Sequence, residues 1–306
     1  MTIHAAHGVH AKRNNSVSLL LTVIVFLLTP ALYAQSNQPA TPKPAKTGYA
    51  PVNGLNMYYE IFGQGQPLIL LHGGFGSTGM FAPIMAALSE KRQVIAVDMQ
   101  AHGRTADIDR PMSFEAMSDD VVALLKFFHL EKADIMGYSL GGNVALYTVI
   151  KHPELVHRAV IVSTPFKRKG DYPDLLAQQD QMGPGAAEFM KSLPVYPMYA
   201  KIAPKPEDWP RLVTKVAQLI QKDYDWSADV KNIKTPLLIV CGDADLFPPS
   251  HAAEFFALLG GGQKDAGWDG KGRPQSQLAI LPNTTHYNIF MSPALVAAAN
   301  NFLDMK

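Results

Sequence analysis

The stretch ADIMGYSLGGNVALYTVIKH (residues 133–152) decides the fold of this chain. Residues 133–137 are typical of a short buried strand, and a helix is predicted from about Gly142 to His152. Between them lies GYSLGG, which matches the pattern G-x-S-x-G. This pattern indicates a nucleophilic serine when a strand precedes it and a helix follows it, as is predicted here. A serine there sits on a strained turn with its hydroxyl above the sheet, and Gly137 and Gly141 leave room for neighbouring backbone. Ser139 is therefore the predicted nucleophile.

Short apolar runs alternate with helical stretches on both sides of this motif. The predicted strands are PLILLH (67–72), QVIAVD (93–98), AVIVS (159–163), PLLIVCG (236–242) and QLAILP (277–282). Apolar residues in 113–130 recur with helical spacing. Apolar strands separated by helices indicate an α/β fold, a mostly parallel central sheet with helices on both faces.

The folded domain is predicted to span residues 48–306. It opens with a hairpin, because Asn53-Gly54 separates the strand-like segments 49–52 and 55–61. The strand–helix alternation stops at about 165–232, where prolines, methionines and aromatic residues are frequent. We predict that this segment is a helical lid inserted into the core, with amphipathic pieces around 174–191 and 209–221.

The N-terminus has the pattern of a secretory signal peptide. Lys12 and Arg13 precede an uncharged run at 17–28, which is shorter than the roughly 20 residues of a membrane span. We expect a signal peptide at 1–34 with cleavage after Ala34, followed by a Pro-rich linker at 35–47. The expected location is periplasmic or secreted, and an uncleaved N-terminal membrane anchor is the alternative.

Composition limits the classes of partner. The net charge of +1 gives no field that would favour nucleic acid, so no nucleic-acid partner is expected. Cys241 is the single cysteine, which excludes an internal disulfide, and its apolar surroundings predict a buried core residue. No cluster has metal-ligand spacing, and no phosphate loop or dinucleotide fingerprint precedes a helix, so we expect no metal and no cofactor. The oligomeric state stays open.

A serine hydroxyl needs a base, and the base needs an orienting carboxylate. His286 follows the last predicted strand, where a loop can hold it over the serine. His251 ranks far lower because it begins a helix behind a pair of prolines. Asp245 and Asp243 both follow a strand end. Asp245 lies deeper in its loop and is preferred as the acid, and Asp243 is expected to shape the turn through local backbone bonds.

Backbone N–H groups are expected to stabilise the oxyanion. One donor is Leu140, directly after the nucleophile. The second should come from HGGFGS (72–77), where Gly74 is preferred and Phe75 is the alternative.

Five motifs in this order resemble those of the α/β-fold hydrolases. They are HGG (72–74), DMQAHGRT (98–105), GYSLGG (137–142), GDADLFPP (242–249) and the histidine of NTTH (283–286). The resemblance runs from about Tyr49 to the C-terminus without the lid, and it is similar to the esterase, haloperoxidase/perhydrolase and C–C hydrolase branch. It implies a serine hydrolase with a Ser-Asp-His triad.

The second motif departs from the family pattern D-x-x-G-H-G-x-S. Ala101 stands in place of the first glycine and Thr105 in place of the serine. In relatives this segment supports the fold, so the resemblance implies a structural role for Asp98 and His102.

These features predict an exported enzyme that hydrolyses a small, largely apolar ester through an acyl-enzyme. Lactone hydrolysis, C–C bond hydrolysis and cofactor-free perhydrolysis could use the same triad, and a non-catalytic binding protein on the same fold is the alternative from another class. The many aromatic residues and methionines of the lid favour an apolar acyl or alcohol group. Trp268 could fold over the entrance.

Overall fold

The computed structural model describes residues 41–305 of the 306-residue chain. The predicted signal peptide lies outside the described residues, as does the first half of the linker. The first strand begins at Lys46, within the last two residues assigned to the linker.

Eight strands form one sheet. They are β1 (Lys46–Val52), β2 (Leu55–Phe62), β3 (Gln66–Leu71), β4 (Arg92–Val97), β5 (Ala133–Tyr138), β6 (Val156–Val162), β7 (Leu237–Ala244) and β8 (Gln277–Thr285). Their order in the sheet is β1-β2-β4-β3-β5-β6-β7-β8. Strand β2 is antiparallel to both of its neighbours, and the remaining pairs are parallel. The predicted α/β fold is confirmed.

The first two strands are joined by the predicted hairpin. Asn53 and Gly54 have φ angles of 47° and 85°, as a two-residue type I′ turn requires. Val52 pairs with Leu55 across it.

Ten helices accompany the sheet in the described residues. They are α1 (Ala82–Leu88), α2 (Phe114–Phe127), α3 (Leu140–Lys151), α4 (Pro173–Asp180), α5 (Ala186–Met190), α6 (Val195–Ile202), α7 (Trp209–Ile220), α8 (Ser227–Val230), α9 (Pro249–Leu258) and α10 (Pro293–Leu303).

The sheet lies between two buried apolar clusters, and the side chains of β3 alternate between them. Leu68 and Leu70 pack with apolar residues of α1 and α10. Ile69 and Leu71 pack with those of α2, α3 and α7 on the other face. Burial on both faces explains why the central strands are apolar along their whole length.

The segment predicted as a lid, residues 165–232 and here called the insert, lies between β6 and β7 and holds α4 to α8. The amphipathic piece expected at 174–191 is two helices, because Pro184 between two glycines interrupts it. Helix α6 was not predicted. Trp209 is fully buried within the insert, and its indole N–H donates to the carbonyl of Ala187 at 3.0 Å.

One buried ion pair ties the insert to the core. The ammonium of Lys215 on α7 lies 2.7 Å from Oδ2 of Asp107 and donates to the carbonyls of Ile108 and Arg110 at 2.8 Å. The Asp107 side chain is 2% exposed. Arg211 is a weaker partner of the same carboxylate, at 3.8 Å.

Lys215→Met is expected to lower the free energy of unfolding by about 3 kcal/mol, since it leaves a buried carboxylate without its nearest cation. The measurement is urea denaturation. Adding Asp107→Asn should recover part of the loss, because it removes the uncompensated charge.

Lys191→Met is the matched control, because Lys191 is an exposed lysine of the same insert that pairs with Glu188. Its urea midpoint should equal that of the unmodified protein. Equal midpoints for Lys215→Met and Lys191→Met would show that the Asp107 pair does not hold the insert.

Candidate active site

Ser139 occupies the sharp turn between β5 and α3. Its φ of 54° and ψ of −122° are strained for a residue with a side chain. A Cβ on Gly137 would overlap the carbonyl of Gly141, and one on Gly141 would overlap the carbonyls of Leu71 and His72. Both positions therefore require glycine, as the sequence pattern predicts.

The structure brings the three predicted side chains together. Oγ of Ser139 lies 3.1 Å from Nε2 of His286, and Nδ1 of His286 lies 2.9 Å from Oδ1 of Asp245. The residues follow the ends of β5, β8 and β7, and the carboxyl ends of parallel strands meet at one edge of a sheet. With the Nδ1 proton donated to Asp245, Nε2 is free to accept the hydroxyl proton of Ser139.

Asp245 is held as a carboxylate by four donors. Besides His286, they are the hydroxyl of Ser163 at 2.6 Å and the backbone N–H groups of Gly242 at 3.0 Å and Leu246 at 2.8 Å. Burial by itself would raise the pKa of Asp245. The hydrogen bonds from His286, Ser163 and Gly242 outweigh burial, so the pKa lies below its ordinary value.

His286 is fixed through its own backbone. The hydroxyl of Tyr138, the residue before the serine, donates to the carbonyl of His286 at 2.7 Å, and the two rings lie 5.1 Å apart. The imidazole is nearly buried, whereas Ser139 is only partly buried. Ser139 is therefore the most exposed of the three residues, and the base and acid are shielded from water.

Asp243 bonds to its own backbone, as expected, and also to the neighbouring strand β8, which the sequence did not predict. Its oxygens accept the backbone N–H groups of Asn283 and Thr284, each at 3.0 Å. These hydrogen bonds lower the pKa of Asp243. Because β7 and β8 are neighbours, Asp243 braces the segment that leads into His286.

Two of the predicted oxyanion donors, Leu140 and Gly74, lie at the turn that carries the serine. Leu140 is the first residue of α3, where a backbone N–H has no helical acceptor. A Cβ on Gly74 would lie 3.9 Å from the Leu140 side chain, and Phe75 adopts a φ of 61°. The HGG loop therefore packs against the turn that carries Ser139. The choice between Gly74 and Phe75 as second donor stays a prediction.

His72 organises this loop as a neutral imidazole. Its Nε2 accepts the N–H of Met99 at 3.0 Å, so its Nδ1 donates to the carbonyl of Gly73 at 2.7 Å. Burial lowers the pKa of His72 to about 4, which keeps the ring uncharged at neutral pH.

The DMQAHGRT segment builds a loop beside the site. The Asp98 carboxylate accepts the backbone N–H groups of Thr78 and Arg104, each at 2.7 Å. His102 is fully buried, and its Nδ1 lies 2.8 Å from the carbonyl of Gln100. Ala101, which stands where the family pattern has glycine, has a φ of 65°. The backbone thus keeps the conformation that favours glycine even though the residue is alanine.

Three further residues of interest lie elsewhere. His251 is buried and stacks on Phe166 with ring centroids 4.4 Å apart. Cys241 is fully buried, as predicted. Trp268 is fully exposed, so the structure does not show it folded over the entrance.

The sequence patterns do not reveal the roles of Ser163 and Tyr138. Tyr138 lies inside the recognised motif, but its hydroxyl could serve His286 only if β8 ended close by. Ser163 directly follows an apolar strand and has a φ of 52°, and only its position across from Asp245 reveals its role.

Comparisons with known proteins agree with this fold. The family model described as the α/β-hydrolase fold matches residues 66–194. The chain is 28% identical over 278 residues to the RutD protein of Caulobacter sp. (strain K31), provisionally named a carbamate hydrolase, covering 82% of this chain and 96% of that protein. It is 34% identical over 113 residues to an sn-1-specific diacylglycerol lipase of Danio rerio, covering only 35% of this chain and 35% of the lipase.

Solved structures share the fold. An enol-lactonase from Burkholderia xenovorans superposes with a TM-score of 0.66 at 20% identity, covering 84% of this chain and 100% of that chain. The carboxylesterase CesB from Bacillus subtilis superposes with a TM-score of 0.65 at 19% identity, covering 86% of this chain and 93% of that chain.

Ser163→Ala should destabilise the protein by about 1–3 kcal/mol at pH 7, the range for a lost hydrogen bond to a buried charged group. The pKa of Asp245 in the folded protein lies below its value in the unfolded chain. The ionised carboxylate therefore stabilises the fold fully above the unfolded pKa, and this contribution to the free energy of unfolding is lost as pH falls through the native pKa. Ser163→Ala raises the native pKa of Asp245 because it removes a hydrogen bond to the ionised carboxylate. The difference in free energy of unfolding between the unmodified protein and the variant should therefore shrink as pH falls below about 4. Denaturation at a series of pH values measures this.

Ser192→Ala is the matched control, because the exposed Ser192 hydroxyl donates only to the nearby carbonyl of Phe189. A Ser163→Ala effect that is equally large at every pH would contradict the link to Asp245.

Proposed function

We propose that this protein, whose residues 66–194 match the family model of the α/β-hydrolase fold, is a serine hydrolase that cleaves a carboxylic ester of a small, largely apolar substrate. The observation that carries the proposal is the hydrogen-bonded series Ser139–His286–Asp245. A serine hydroxyl, a neighbouring imidazole and a buried carboxylate are the groups that acyl transfer needs.

The first half of the reaction forms an acyl-enzyme. Oγ of Ser139 attacks the carbonyl carbon of the ester while Nε2 of His286 takes the hydroxyl proton. The carbonyl oxygen gains negative charge and accepts hydrogen bonds from the N–H of Leu140 and from Gly74 or Phe75. When the tetrahedral intermediate collapses, the imidazolium gives its proton to the leaving alcohol oxygen.

The second half repeats these steps with water. His286 removes a proton from water, the resulting hydroxide attacks the acyl carbon, and collapse returns the proton to Oγ of Ser139 as the acid leaves. Asp245 stabilises the imidazolium in both halves. Its depressed pKa keeps it ionised throughout the neutral range, as this role requires.

The walls of the site favour an apolar substrate. Gly74 lies near the side chains of Leu140 and Val216, and Phe75 packs on Trp209 with ring centroids 5.6 Å apart. Val216 and Trp209 belong to α7, so the insert supplies part of the apolar surface next to the oxyanion donors.

Ser139→Ala and His286→Ala should each reduce kcat/KM on p-nitrophenyl butyrate by at least about 10³-fold, since neither variant keeps both nucleophile and base. A fluorophosphonate should label the unmodified protein on Ser139 and leave Ser139→Ala unlabelled. The readouts are initial rates and mass spectrometry of the labelled peptide.

Ser192→Ala controls for the loss of a hydroxyl elsewhere, and its rate should equal that of the unmodified protein. Undiminished hydrolysis by Ser139→Ala would reject the proposed function. Failure of the fluorophosphonate to react with Ser139 would favour a binding protein on this fold.

The proposed location is outside the cytoplasm, and the N-terminal sequence pattern is what supports it. In residues 41–305 no helix is both long and apolar enough to cross a bilayer.

Expression of the full chain in a bacterium should yield a mature protein that begins at Gln35, because signal peptidase cuts after the small residue Ala34. Edman sequencing of the periplasmic fraction measures the new N-terminus. Replacing Ala34 with a bulky residue, as in Ala34→Trp, should block cleavage and leave the protein in the membrane fraction. An intact N-terminus in the cytoplasmic fraction would contradict export.

A further inference from the structure

Besides Asp245, a carboxylate on the insert, Asp171, interacts electrostatically with His286. Asp171 directly follows the 3₁₀ turn Arg168–Gly170 that leads into α4. The N–H of the next residue, Tyr172, donates to the carbonyl of Leu246 at 3.1 Å. Leu246 adjoins Asp245, so this bond fixes Asp171 against the loop that carries the acid of the site.

One oxygen of this carboxylate is unsatisfied. Oδ1 of Asp171 is buried and has no hydrogen-bond partner among residues 41–305. The side chain of Gln179 faces the carboxylate and lowers its pKa. A buried acceptor without a donor costs free energy, and proteins keep such groups where they serve a function.

Arg168, a cation that interacts electrostatically with Asp171, is committed to other partners. The guanidinium of Arg168 pairs with Asp180, lies 3.6 Å from Asp223 and donates through Nε to the carbonyl of Ile220 at 2.8 Å. It therefore turns toward the outer part of the insert.

Tyr224, which interacts electrostatically with Asp171, does not supply the missing donor. Its hydroxyl accepts from the amide of Asn143 at 3.0 Å and lies 3.3 Å from the carbonyl of Pro165, its acceptor. Asn143 is one helical turn after Ser139, and its N–H donates to the carbonyl of Ser139 at 3.0 Å. The polar groups around Asp171 thus reach back to the nucleophile.

The pKa of Asp171 responds to both His286 and Asp245, as expected for a carboxylate close to these residues. Burial raises the pKa of Asp171 to about 6, while Gln179 and His286 act to lower it and Asp245 acts to raise it. At pH 7 to 8 the group is therefore mostly ionised and acts as an acceptor.

We propose that Asp171 is a specificity-determining residue of the active site and that its free oxygen accepts a hydrogen bond from a donor group on the substrate. This inference rests on the proposed ester hydrolase function. The substrate class is an ester whose apolar body carries a hydroxyl, amide N–H or ammonium group a few bonds from the scissile carbonyl. An anionic substrate is disfavoured, because Asp171 and Asp245 would both repel it.

The test compares isosteric ester pairs in which a hydroxyl replaces a methyl group. The acyl-side pair is p-nitrophenyl 3-hydroxybutyrate and p-nitrophenyl 3-methylbutyrate, and the alcohol-side pair is 4-hydroxybutyl acetate and pentyl acetate. In at least one pair the full-length protein should prefer the hydroxylated ester in kcat/KM by about tenfold or more, the factor expected for a hydrogen bond to a charged group.

Asp171→Leu should abolish that preference, so that the ratio of kcat/KM between the hydroxylated and the apolar ester falls to about one, since the leucine replaces the acceptor with an apolar group of similar size. Asp171→Asn should keep part of the preference, because its carbonyl oxygen is a weaker, uncharged acceptor. If Asp171→Leu does not fold, Asp171→Asn takes its place in the test. Asp174→Asn, on an exposed carboxylate of the same insert, is the matched control and should keep the full preference.

The outcomes separate the two proposals. If hydrolysis depends on Ser139 but neither pair shows a preference, or if Asp171→Leu lowers both members of a pair equally, Asp171 is structural and the inference is overturned. If no ester of the four is hydrolysed in a Ser139-dependent way, the proposed function fails and the inference with it.

Discussion

The close approach of two backbone segments at the end of β5 is the constraint on which the rest of the structure depends. Gly137 and Gly141 let the start of α3 lie directly against the end of β3, with no room for a Cβ on either residue. This contact forces Ser139 into a backbone conformation that few side chains tolerate, and it raises the hydroxyl above the sheet. It also sets the HGG loop against the first turn of α3, where backbone N–H groups are available.

Neighbouring strands then stabilise the groups around this turn. Asp245 follows β7 and accepts a hydrogen bond from Ser163 at the end of β6. Asp243 holds the end of β8, and Tyr138 holds the backbone of His286. The first two contacts join the carboxyl ends of adjacent strands, and the third reaches from the end of β5 to the end of β8 across β6 and β7, so the parallel sheet itself aligns the site. Long-range placement of this kind leaves the imidazole little freedom, which suits a group that must move protons along a fixed path.

Two carboxylates that interact with His286, Asp245 and Asp171, illustrate how hydrogen-bond partners set the pKa of a carboxyl group. Asp245 has four donors and a depressed pKa, whereas Asp171 has one unsatisfied oxygen and a raised pKa. Burial acts in the same direction on both, so the difference comes from hydrogen bonding. The first group is suited to stabilising an imidazolium, and the second is suited to receiving a donor from outside the protein.

The sequence by itself determined the features that depend on near neighbours in the chain. The Asn53-Gly54 turn, the apolar strands, the glycines around Ser139 and the positions of Asp245 and His286 after strand ends follow from local backbone preferences and from the order of the motifs. Only the tertiary structure decided which side chains face each other across the sheet. The partners of Asp243, Ser163, Tyr138 and Asp171 depend on strand order and on the path of the insert, and residues tens to more than a hundred positions apart leave no local pattern that reveals such contacts.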